Sequence, residues 1–179
     1  MIPHLLLALT LLSSANAKFH SLAIGAYPPA SRVTVTTREI NAYIQAEMPY
    51  FIGPGVRNGR VEIATGNIAR GRLDIDFLKV RQAHGEPPGW LLSKLLEGER
   101  PVAITARITS GHGHVRVDLL RVEISGVVAE GRTLDFLIAN FVLPTFPDIM
   151  IGKDVPMGYN IDRLEIRPGA VTVVLSGKR

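Results

Sequence analysis

A chain of 179 residues carrying 20 Lys and Arg against 16 Asp and Glu, with no cysteine, is bounded in what it can be. Its net charge is +4, and its 15 arginines are scattered with no run denser than Arg70-Gly71-Arg72, unlike the concentrated basic element and stacking aromatics of a nucleic-acid reader. The missing cysteine excludes disulfides, thiolate metal sites and cysteine nucleophiles, so an exported fold of this kind rests on packing alone.

Residues 1–17 read as a signal peptide. Leu5 to Leu12 is an apolar run too short to anchor in a bilayer core, and Ala15 and Ala17 give the A-x-A spacing of a cleavage site. The segment departs from the usual pattern in having no Lys or Arg before that run. Export to the periplasm or cell envelope is the expectation. Residues 18–31, ending Tyr27-Pro28-Pro29-Ala30-Ser31, read as a linker, and 32–179 as a single α+β domain.

Arg32 to Thr36 is rich in β-branched residues and reads as a short strand. Thr36 and Glu39 stand at capping-box distance and open a helix on which Ile40, Tyr43, Ile44 and Met48 recur at helical spacing. Pro49 is expected to end it. Asn41 reads as a solvated position, in preference to a donor aimed at a neighbouring strand. Strands follow at 56–65 and 68–81. On the second, Leu73, Ile75 and Phe77 share one face while Arg70, Arg72, Asp74 and Asp76 share the other. The phase shift after Phe77 reads as a bulge or a bend. Residues 89–98, with Trp90, read as a short helix too apolar for an ordinary surface.

Arg100 to Gly126 organises the rest. Val102, Ile104 and Ile108 alternate on one arm, Val115, Val117 and Leu119 on the other, across Ser110-Gly111-His112-Gly113-His114. At Leu119-Leu120 the alternation slips by one, which predicts a β-bulge that keeps the apolar side chains on one face. Thr133 to Leu143 carries a helical stripe of Leu134, Leu137, Ile138 and Phe141, and a hairpin about Pro168-Gly169 closes the chain.

Motifs for chemistry are weak. His112 and His114 have H-x-H spacing but sit between glycines at a hairpin tip, without further ligands nearby in sequence. Asp74 and Asp76 could form an acid–base pair, yet Arg70 and Arg72 on the same face make ion pairing the simpler account. No nucleophile elbow, phosphate-binding glycine loop or zinc-binding helix is present. Neither catalytic nor metal-binding residues are assigned, and no cofactor is expected. What remains is an excess of apolar faces. They either fill one core or leave a groove for an acyl chain between helices and a curved sheet.

The run Val33-Thr-Val-Thr-Thr-Arg-Glu-Ile-Asn-Ala-Tyr-Ile44, followed by long bent strands and amphipathic helices, resembles small bacterial envelope proteins of the tubular lipid-binding (TULIP, SMP-like) superfamily. The resemblance spans Val33 to Leu175. It implies a long, curved antiparallel sheet packed on two or three amphipathic helices, binding lipid or another hydrophobic molecule without catalysis. It further implies a lining that includes Ile40, Tyr43, Ile44, Leu137 and Phe141, and Leu73, Ile75, Phe77, Trp90 and Ile104 on the apolar strand and helix faces are candidates beside them. No helix matches the longest of that superfamily, so a half-tube, or a tube completed by a second copy, is expected. The candidate partners are a lipid, a homodimer mate or another envelope protein, and a peripheral membrane contact, with no nucleic acid. The rival functions are an assembly module that docks another envelope protein and, behind it, a hydrolase of envelope polymer.

Overall fold

The computed structural model describes residues 2–52, 54–83, 85, 97–143 and 150–177. Helix α1 (Ile2–Ala23) leads to β1 (Arg32–Thr36), α2 (Thr37–Ile52), β2 (Val56–Ile63), β3 (Ile68–Asp76) and α3 (Phe77–Ala83). There follow β4 (Glu99–Gly111), β5 (His114–Ile124), β6 (Val127–Ala129), α4 (Gly131–Leu137) with a π-helical turn (Ile138–Val142), β7 (Asp154–Pro156), β8 (Ile161–Arg167) and β9 (Ala170–Leu175). The fold is α+β, with a curved antiparallel sheet in the order β2-β3-β4-β5-β6, β7 pairing farther along β5, and a second sheet in the order β1-β9-β8.

The long hairpin is as its alternation predicts, and so is its bulge. Thr105 pairs with Arg121 while Ala106 pairs with Leu119, leaving Leu120 as the extra residue. The strand therefore bends without turning Leu119 and Val117 to the wrong face. The capping box is also present. Thr36 Oγ1 accepts from the Glu39 amide at 3.3 Å, and the Thr36 amide donates to Glu39 Oε2 at 2.8 Å.

Three expectations are corrected. Helix α2 runs through Pro49 to Ile52; a single missing amide donor near the end of a packed helix does not terminate it. Strand β3 ends at Asp76, so the shift at Phe77 is the first turn of α3 and not a bulge. Asp76 caps that turn, accepting from the Lys79 amide at 3.2 Å. Asn41 is not solvated. Its Nδ2 donates to the Val61 carbonyl at 2.9 Å and its Oδ1 accepts from the Val61 amide at 2.7 Å, so one side chain completes the outer edge of β2.

The segment read as a linker is packed. Lys18 to Ala23 continue α1, and Phe19, Leu22 and Tyr27 join Val33, Val173 and Leu175 in an apolar cluster over the smaller sheet. The two sheets are fastened to each other at both ends. Ser110 Oγ donates to the Leu164 carbonyl at 3.1 Å and accepts from its amide at 2.8 Å, holding β8 to the tip of β4. At the other end the Gly169 amide donates to the Ile63 carbonyl at 3.1 Å, and the Thr37 amide to the Gly169 carbonyl at 2.8 Å.

Candidate functional site

Pairing register sorts the larger sheet into two unlike faces, since paired residues point to the same side. Leu73, Val102 and Ile124 form one apolar row; Gly71, Ile104, Val122 and Ala129 form the next. Ala69, Ala106 and Leu119 follow, then Ile108 with Val117. The opposite face carries Arg70, Arg72, Asp74, Arg107, Asp118, Arg121 and Glu123.

The apolar face is only half covered. Leu73, Ile75, Ile104, Ile108, Val117, Leu119, Val122 and Ile124 all keep part of their surface in water, whereas Val56, Ile63, Val102 and Ala106 are buried. Elsewhere Val35 and Leu134 are only 2 % and 3 % exposed, so the half-coverage is local to this face. Gly71 adds to this. A Cβ built there meets only the Ile104 Cβ, at 3.9 Å, so there is room above the middle of β3. Glycine inside a strand weakens it and often marks close approach by a ligand or another backbone.

Helix α2 covers one margin of this face. Its Ile44 and Met48 lie over Gly59 of β2; a Cβ at Gly59 would come 2.1 Å from the Met48 methyl and 3.1 Å from Ile44 Cγ2. Tyr43 points elsewhere, edge-on to Phe19 of α1 with ring centroids 4.7 Å apart. Of the residues expected to line a groove, Leu73, Ile75 and Ile104 thus share the apolar face, and Ile44 sits over its β2 margin. Tyr43 instead joins α1, Ile40 is half-buried on α2, and Phe77 belongs to α3. Leu137 is half-buried on α4, while Trp90 and the side chain of Phe141 lie outside what is described.

Charged residues serve the scaffold. Glu39, 4 % exposed, accepts from Lys18 Nζ at 2.7 Å, from the Ser14 hydroxyl and from Thr36, joining α1 to α2. Burial opposes its ionisation, but the bonds from Lys18, Ser14 and Thr36 prevail and bring its pKa down to about 2. Asp74 accepts from Asn58 Nδ2 at 2.8 Å. Asp76 is buried, which raises its pKa, yet hydrogen bonds from Lys79 carry it below the usual carboxylate value. The two aspartates are therefore committed to separate structural partners. At the hairpin tip His114 Nδ1 lies 3.0 Å from the carbonyl of His112. No group of three or more His, Asp or Glu gathers at metal-binding distance among the described residues.

Glu39 and Asn41 are the polar residues whose placement sequence reading missed. The capping box located Glu39 at the helix start, but its burial depends on α1, which had been set aside as a leader.

A fold of this class, with an open apolar face on a curved antiparallel sheet, is that of a TULIP-like lipid-binding domain. The family model described as LmeA-like phospholipid-binding matches residues 28–176, and the chain belongs to that family. No curated protein and no solved structure matches it.

Proposed function

We propose that the protein is a non-catalytic phospholipid carrier of the bacterial cell envelope, holding acyl chains against the apolar face of β3, β4 and β5. The observation that carries this reading is the half-covered pair of neighbouring rows, Leu73 and Ile124 in one and Gly71, Ile104 and Val122 in the next, open where a closed core would be sealed. Burial of each acyl methylene contributes about 0.8 kcal/mol, so an open face of this kind binds lipid without a specific polar anchor. Ile44 and Ile75 extend the same lining, and the family match supports the ligand class. Export with removal of residues 1–17 completes the reading. A chain starting at Lys18 keeps the Lys18–Glu39 ion pair, the Phe19–Tyr43 contact and Leu22.

The test is native mass spectrometry of the purified protein beside Gly71→Leu, which fills the space above β3. Bound phospholipid is expected in the first and its loss in the second, with unchanged circular dichroism. A lipid-free native protein, or a Gly71→Leu variant that retains its lipid, would reject this reading.

A further inference from the structure

We propose that the polar face of the larger sheet, centred on Arg60 and Arg72, docks the protein on the phosphate layer of an anionic bilayer. The lipid-binding reading enters only in the choice of partner. Arg60 and Arg72 stand directly opposite each other on β2 and β3. Like charges in that position destabilise a sheet. Neither arginine has a carboxylate within ion-pair distance among the described residues, and both are exposed.

The neighbouring acids are already engaged. Arg57 takes Glu99, Asn58 takes Asp74, Arg116 takes Asp118, and Arg121 takes Glu123 and Glu130. Arg107, on the same face, pairs across the ladder with Asp118, whose carboxylate turns to Arg116. Among the described residues Arg70 has only Glu62, at 3.6 Å. Of these acids Asp74, bonded to the neutral Asn58 amide, keeps its charge near the centre, and Arg60 and Arg72 together outweigh it. A surface of phosphates is the complement of this face, because guanidinium groups bind phosphate oxygens in pairs.

The experiment is cosedimentation at low salt with phosphatidylcholine vesicles, with and without phosphatidylglycerol. The native chain should pellet with the anionic vesicles only, and less so as salt rises. Each arginine removed should weaken binding about fivefold, so Arg60→Gln with Arg72→Gln weakens it on the order of 25-fold. The double variant should resist urea as well as or better than the native chain, since it removes a like-charge pair. Equal binding to neutral vesicles, absence of binding to anionic ones, or full binding by the double variant would overturn the proposal. So would a destabilised double variant, which would give the guanidiniums structural partners. Gly71→Leu should bind anionic vesicles normally, so failure of the lipid seam and failure of the docking face are seen separately.

Discussion

At Glu39 a single carboxylate sets an acid limit on the fold. Its pKa is about 2 against an ordinary 4.5. A carboxylate held lower in the folded state contributes stability above its unfolded pKa and loses it as pH falls through its folded one. With Ser14 in place the contribution, about 3 kcal/mol, is therefore present at neutral pH and disappears between pH 4.5 and about 2, and a chain starting at Lys18, without the Ser14 hydroxyl, keeps a smaller part of it. Urea titrations across that range should show Glu39→Gln weaker than the native chain at pH 7 and converging with it toward pH 2. Asn41 carries a second residue-scale prediction. Asn41→Ala strips both partners from the Val61 peptide and should cost about 2 kcal/mol in urea unfolding. Asn41→Asp keeps the acceptor for the Val61 amide but sets a carboxylate oxygen against the Val61 carbonyl, so it should cost at least as much. This pairing was illegible in the sequence for a plain reason: the amide's target lies 20 residues away, on a strand edge that only the packing of α2 brings near.

Between elements, the closeness of α2 to β2 depends on the absent side chain of Gly59. Gly59→Ala would press on the Met48 methyl and Ile44 Cγ2 and should cost roughly 1–3 kcal/mol. Shortening Met48 to Ala in the same chain should restore part of that loss, and a double-mutant cycle in urea measures the coupling. Element boundaries divide into those the sequence states and those it does not. The bulge at Leu120 was legible because a one-residue slip in alternation has few other solutions. Phe77 was not, because Leu78 and Val80 suit a strand as well as a helix over so short a run. The cue was Asp76, a helix-capping residue that was read as one of a pair of surface carboxylates.

For the whole molecule, the joint between the sheets matters most. The Ser110 hydroxyl satisfies both the amide and the carbonyl of Leu164, so Ser110→Ala should release β8 from the tip of the hairpin. Hydrogen exchange at the Leu164 amide should then accelerate markedly, at a cost of about 1–2 kcal/mol in overall stability. The open apolar face was foreseeable as a surplus of greasy strand faces, and the capping box with its flanking strand pointed to the right superfamily. The place of Tyr43 was less readable, because its partner Phe19 lies on α1, far away in the sequence.

The pairing of β1 with β9 reaches across nearly the entire chain, Arg32 opposite Val174 and Thr36 opposite Ala170. Strand β1 is on the outer side of its sheet, so β9 is its one ladder partner. It follows that the first strand synthesised waits, unpartnered, until Ala170 to Val174 have left the ribosome. Contacts this distant in sequence make for slow closure, and nascent chains halted before Ala170 would show no protease-resistant small sheet.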